Sequence, residues 1–405
     1  MKKTLSIAII LCAVMTAMAA GKHSKYDLNH PFGWVTCDSL NDTSCKHKVV
    51  GGANGKKITL ISDGQDMRQR IIDAINDYDV IIFDGKGGDF IVSETMLFKG
   101  IKNKTIVGIN NARICTQFAM TPETHQMLKD KGVMKLSTAY DGTTIYTLSN
   151  GEKVKEEREW GVRQALIDYT DSQAEKFRRS GLFIMHGWED VVIRNLILVG
   201  PGSVDVGGDD LMTIANSCKN LWIDHVDFID GLDGNCDVNK YSDCITFSWC
   251  KFHYTDRSFD HANTNLVGTN DNGQYNGTDY LNITYAFCNW GEGCNQRMPM
   301  VRFGTIHLLN DLYTCPDCSC TVNPRKDSEV LIEGCYFGAG VKKIFAQRDA
   351  KAYNFFNNKY VEPFNEPDDL GKVTINYPYV AMPTEEVFKE VGTYAGATLK
   401  NPLKF

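Results

Sequence analysis

Asn220-Leu-Trp-Ile-Asp-His-Val226 is a polar residue followed by alternating apolar positions, and the same phrase recurs along the chain. It returns at Asp190-Val-Val-Ile-Arg-Asn-Leu196, Asp243-Cys-Ile-Thr-Phe-Ser-Trp249, Tyr280-Leu-Asn-Ile-Thr-Tyr285, Thr305-Ile-His-Leu-Leu-Asn310, Glu329-Val-Leu-Ile-Glu-Gly334 and Ala352-Tyr-Asn-Phe-Phe-Asn357. Counted from each first residue, the steps are 30, 23, 37, 25, 24 and 23. β-branched and aromatic residues dominate the runs, Gly, Asn and Asp separate them, and no helical period competes. A strand-sized phrase repeating every 23 residues or so predicts stacked coils, with the longer steps as loops between strands. A β-sandwich would instead need hairpin turns about every 8–12 residues. The expected fold is therefore all-β, a parallel β-helix.

At 405 residues the chain is long for one ordinary domain, but a solenoid absorbs that length in one piece. A hydrophobic content of 43% supports a sizeable core and argues against disorder. The formal charge of −7 argues against nucleic acid, and means that a polyanionic substrate must meet positive charge concentrated locally. Met1-Lys2-Lys3, an apolar run from Leu5 to Met15 and Ala17-Met18-Ala19-Ala20 read as a cleavable signal peptide over 1–20. The run is too short to span a bilayer, so no membrane span is expected and the product is secreted or periplasmic. Residues 21–405 are then one domain. They hold 13 of the 14 cysteines, an odd number, so at least one thiol is free or paired between chains.

Gly33 to Phe118 reads as the lead-in. Gly51-Gly-Ala-Asn-Gly55 lacks the lysine and the Ser/Thr of a phosphate loop and reads as a plain turn. Met67, Ile71, Ile72 and Ile75 predict a helix within 66–77, followed by strands at Val80–Asp84 and Lys104–Gly108. Residues 119–180 break the repeat: charges crowd Lys153 to Glu159, and Val162, Leu166 and Tyr169 have helical spacing. The segment reads as an inserted, solvated surface piece rather than a substrate-binding arm. Cys218, Cys236, Cys244, Cys250 and Cys288 lie in or beside the coils as small buried side chains. Cys315-Pro-Asp-Cys318-Ser-Cys320 carries a single C-x-x-C, and in an exported protein a disulfide-stapled loop is favoured over zinc.

Chemistry-bearing residues gather between Asp210 and Arg302. Asp233 and Asp237 flank Gly234, and Asp210 lies about one coil earlier. Neighbouring coils stack about 4.7–4.9 Å apart, so carboxylates on successive coils can meet at one cation. Calcium suits such a set, because it takes several oxygen ligands in flexible geometry. Each aspartate also ends a run, where Asp commonly finishes a turn. Asp209 and Asp205 are further candidates. Arg297 and Arg302 offer planar donor forks that match a carboxylate, or cap a coil through backbone carbonyls. His225 and His261 read as structural histidines.

Three stretches carry a resemblance. Trp222-Ile-Asp-His225, Asp233-Gly-Asn-Cys-Asp-Val238 and Arg297-Met-Pro-Met-Val-Arg302 resemble, in order and spacing, polysaccharide lyase family 1, the pectate lyases. Asn103-Lys-Thr-Ile-Val-Gly-Ile-Asn110 is similar to that family's first coil, and the segments from Tyr377 and Val391 to its tail. The resemblance implies a single-stranded right-handed parallel β-helix with an N-terminal helix. It also implies Ca2+ at Asp210, Asp233 and Asp237, Arg297 as the catalytic base and Arg302 on the substrate carboxylate. Asn263 stands where the family commonly has a substrate-binding lysine, and Ala286-Phe287-Cys288 replaces a His-His-Asn. The implied partner is polygalacturonate or pectin, cleaved by calcium-assisted β-elimination to 4,5-unsaturated oligogalacturonides by a monomer. The alternatives are a pectin lyase, a polygalacturonase-type β-helix enzyme with paired carboxylates, and a non-catalytic polysaccharide-binding β-helix.

Overall fold

The computed structural model describes residues 23–130, 135–138, 143–147, 151, 153–157, 165–166, 173–273, 277 and 279–405. The expected signal segment, and the helical spacing at Val162 and Tyr169, lie outside them. Among the described residues three parallel sheets of ten, nine and seven strands make up the body. One coil shows the repeat: Met212–Ala215 belongs to the seven-stranded sheet, Lys219–Asp224 to the ten-stranded one and Asp227–Ile229 to the nine-stranded one. The chain then returns to the seven-stranded sheet at Cys236–Val238, in register beside Met212–Ile214. All seven repeating phrases supply a strand of the ten-stranded sheet, from Glu189–Arg194 to Ala352–Phe356. The protein is a right-handed parallel β-helix.

Each coil leaves the ten-stranded sheet through one residue in the left-handed backbone region: Asn195, His225, Trp249, Phe287, Asn310, Gly334 and Asn357 in turn. Such a conformation costs most residues roughly 1–2 kcal/mol, and Gly and Asn bear it best. The larger residues are held there by stacking along the column, with His225 on Trp249 at 5.8 Å and Trp249 on Phe287 at 4.8 Å. Inside, Phe228, Phe252, Trp290, Tyr313, Phe337 and Tyr360 form a continuous stack with centroids 4.5 to 5.5 Å apart. The in-register coil spacing sets that separation, and it is the favourable one for offset rings.

Helix Arg68–Asp77 turns Ile71, Ala74 and Ile75 into the main core, as the spacing predicts. Near the other terminus, helix Thr384–Tyr394 packs Val387 and Val391 against Trp249, Phe287, Leu309 and Leu312. Two asparagines of the left-handed column clamp this tail. Asn310 Nδ2 donates to Met382 O and its Oδ1 accepts from Met382 N, and Asn195 does the same with Leu399.

Two expectations need correction. Cys315, Cys318 and Cys320 are buried thiols, and the disulfide joins Cys37 to Cys45. The C-x-x-C turns into the coil, where Cys315 Sγ packs 3.5 Å from Met298 Sδ, so it staples no surface loop. The insertion is not simply solvated either. It contains helix Pro122–Asp130 and an antiparallel sheet of Lys135–Thr138, Thr143–Thr147 and Lys153–Glu157, which takes up most of the charge run as a strand. Met127, Leu128 and Leu166 pack against Val204, Val206 and Leu232, beside the loops that carry Asp205 and Asp233.

Candidate active site

The coil register brings the aspartates onto one flank of the seven-stranded sheet. Asp210 enters the strand Met212–Ala215, and Thr213 Oγ1 donates to its Oδ2 at 2.9 Å. Thr213 in turn lies beside Asp237 of the next coil, whose Oδ1 accepts from Leu266 N at 2.8 Å. Between the two carboxylates stands Gly234. A Cβ there would lie 2.8 Å from Asp210 Oδ1 and 3.3 Å from Asp237 Oδ1, so the absence of a side chain leaves a hollow that both oxygens face.

Asp233 is oriented differently. Its Oδ1 is 2.8 Å from His261 Nε2, and His261 Nδ1 lies 3.5 Å from Asp205 Oδ1. Asp210, Asp233 and Asp237 therefore do not bring three ligand oxygens within 4.8 Å of one another. Among the described residues only Cys37, Asp42 and Cys45 do so, and the disulfide consumes both of those sulfurs. Asn263 is 1% exposed; its Nδ2 lies 2.8 Å from His261 Nε2, and its Oδ1 is buried without a partner. Its side chain is buried against His261.

Arg297 has a left-handed backbone (φ 63°) fixed by Asn265 N donating to its carbonyl at 2.7 Å. Its Nε is buried with no hydrogen-bond partner, and its charge acts on both Asp210 and Asp237. Arg302 lies on the same coil, just past the strand Met300–Val301. Its Nε donates to Asp271 Oδ1 at 2.7 Å and its Nη1 to Gly268 O at 3.2 Å. His225 is structural: buried, 2.9 Å from Asp224 Oδ2 and stacked on Trp249. A cavity of about 660 Å3 on the outer face of the ten-stranded sheet, between His30–Asn54 and Leu403–Phe405, is lined by none of these residues.

A family model described as pectate lyase matches residues 127–399, more than half of the chain. The chain belongs to the pectate lyase family. Pectate lyase A of Emericella nidulans is 33% identical over 218 residues, which are 52% of this chain and 62% of that protein. The pectate trisaccharide-lyase of Thermotoga maritima is 33% identical over 181 residues, 43% of this chain and 44% of that protein. The chain thus spans about half the length of the curated relatives it matches. A pectate lyase from Bacillus sp. N165, solved in complex with trigalacturonate, superposes with a TM-score of 0.56 at 17% identity, over 91% of this chain and 99% of that one. At that identity the likeness is one of fold.

In this chain the aspartate pair has the character of a cation site. Burial, and then the neighbouring Asp237 and Asp233, push the Asp210 carboxyl well above its ordinary range. Asp237 is pushed up to about 7, chiefly by burial, against the opposing pull of Arg297. Two carboxylates facing one hollow are costly when both are charged, and an oxygen-preferring divalent ion removes that cost. The donor set and the gap at Gly234 fit calcium, with Asp210 and Asp237 facing the gap and Asp233 paired with His261.

A pH dependence follows for the ion-free protein. The folded state keeps a proton on Asp237 that an unfolded chain releases near the ordinary value of 3.8. The associated stability is present below that pH and is lost as pH rises through about 7. Thermal unfolding in chelator should give a lower Tm at pH 8 than at pH 5, and added calcium should raise the Tm more at pH 8. A chelated protein equally stable at both values would show that Asp237 is not held protonated.

His261 and Gly234 carry no sequence signal as site-forming residues. The gap at Gly234 depends on a neighbouring coil, and His261 meets Asp233 across 28 residues. Asp271, the partner of Arg302, carries no local sequence signal.

Proposed function

We propose that this chain is an exported, monomeric, calcium-using pectate lyase that cleaves polygalacturonate by β-elimination. The observation that carries the reading is the buried, unpartnered Nε of Arg297 beside the Asp210–Asp237 pair. Calcium held by these aspartates would supply positive charge where the uronate carboxylate gathers negative charge. Arg302 holds that carboxylate by its planar fork once it exchanges Asp271 for substrate. Arg297 accepts the proton from C5 of the uronate. The C5–H electron pair becomes the C4–C5 double bond as the C4–O bond breaks, and the departing oxygen takes a proton from water. A group that takes this proton must meet C5 with a free lone pair, and the buried Nε, with no hydrogen-bond partner, is the guanidinium atom placed for it.

Elimination adds no water across the broken bond. Mass spectrometry of a limit digest should show products two hydrogens and one oxygen lighter at the new non-reducing end than hydrolysis gives. Products carrying the full added water would replace this reading with a polygalacturonase.

A further inference from the structure

Arg302, Arg325 and Arg348 are spaced 23 residues apart, the length of one coil. Their backbones repeat one hydrogen bond: Arg302 N donates to Val267 O at 2.8 Å, Arg325 N to Val301 O at 2.7 Å, and Arg348 N to Pro324 O at 3.0 Å. The three arginines thus occupy one position in three successive coils, a column running along the helix axis away from the aspartates. The chain as a whole carries −7, so this column concentrates positive charge against the overall balance.

Asp271 ties the two outer arginines of the column. Asp271 Oδ1 accepts from Arg302 Nε at 2.7 Å and its Oδ2 accepts from Arg348 Nη2 at 3.3 Å. Arg325 lies between, half-buried, with Nε donating to Asn323 Oδ1 at 2.7 Å. Side-chain exposures of 58% for Arg348 and 49% for Asp271 leave this outer pair little worth as a stabilising contact. Its chemistry is that of a bidentate carboxylate seated between two guanidinium groups. A linear polyuronate presents one such carboxylate per sugar, and chains laid along the axis meet a cation at each coil.

We propose that Arg348 is a further substrate-binding residue, two coils beyond Arg302, and that Asp271 occupies in the free protein the place a uronate carboxylate takes when substrate binds. The inference rests on the polyuronate-lyase reading and extends its groove toward the C-terminal coils. Asp271 acts through the arginines, as a counter-ion that substrate displaces.

Steady-state kinetics on polygalacturonate test it with Arg348→Ala, Asp271→Asn and the double variant, at low and high salt. Arg348→Ala should raise KM about five-fold, leave kcat within about two-fold and flatten the salt dependence of KM. Asp271→Asn should lower KM by a similar factor, and the double variant should lose that gain. Arg348→Lys should recover part of the affinity, and the Tm of all four should match the wild type because these side chains are largely solvated. An unchanged KM in Arg348→Ala, or a raised KM in Asp271→Asn, overturns the inference while the wild type still releases unsaturated product. A wild type that releases none refutes the lyase reading and this inference with it.

Discussion

Arg297→Ala is expected to lower turnover of polygalacturonate by at least about three orders of magnitude, with the fold intact. The reason is local. The Arg297 backbone is held in its left-handed conformation by hydrogen bonds that alanine keeps, including Asn265 N to its carbonyl. What alanine removes is the guanidinium whose Nε has no protein partner and whose charge falls on Asp210 and Asp237. Polymer binding should persist through Arg302, so the loss belongs in kcat. Two measurements decide it: product release, and retention on immobilised polygalacturonate. A variant that keeps more than a hundredth of its turnover removes Arg297 from the role of base.

The second large effect concerns the smallest residue of the site. Gly234→Ala places a methyl group 2.8 Å from Asp210 Oδ1 and 3.3 Å from Asp237 Oδ1, inside the hollow they share. One of the two must move, and a site for an oxygen-bound ion loses a ligand or its room. Calcium affinity should fall on the order of 10–100-fold, read as a loss of the calcium-induced rise in Tm, with activity falling in parallel at limiting calcium. Thermal unfolding in chelator should show only the cost of that side-chain movement, smaller than the lost calcium effect. An Ala variant with the wild-type calcium-induced shift would place the ion elsewhere.

Much of this arrangement is readable before any coordinates. The recurrence of phrases such as Asn220–Val226 locates every strand of the ten-stranded sheet from Glu189 onward, because in-register stacking demands a similar phrase at each coil. Helix Arg68–Asp77 follows from its apolar spacing in the same way. Asp210, Asp237 and Arg297 are separated by 87 residues yet gather on one flank, since the coil period converts sequence offsets into axial steps. What escapes the sequence depends on contacts with no period. The antiparallel sheet at 135–157 belongs to an insertion with its own pairing. Cys37 meets Cys45 on a strap outside the coils, whereas the more suggestive C-x-x-C turns inward. Asn263 stands where the resemblance implies a substrate-binding side chain, and its burial against His261 has no signal in the local sequence.

Asp233 marks the point where the family resemblance and the geometry differ most. The resemblance groups it with Asp210 and Asp237, and the structure pairs it with His261 at 2.8 Å. Both arrangements keep a negative charge at the hollow, and Asp233 contributes to the raised carboxyls of Asp210 and Asp237 from where it stands.

Calcium-dependent elimination is read from the ultraviolet absorbance of unsaturated product, followed on polygalacturonate and on highly methylated pectin, first in chelator and then with calcium restored. In the proposed function the aspartate pair makes binding of an acidic polymer conditional on a cation, whereas a neutral ester needs none. No product is expected from polygalacturonate in chelator, full recovery is expected with calcium, and methylated pectin should be the poorer substrate throughout. A chelated enzyme that cuts methylated pectin faster than polygalacturonate would contradict the proposed function.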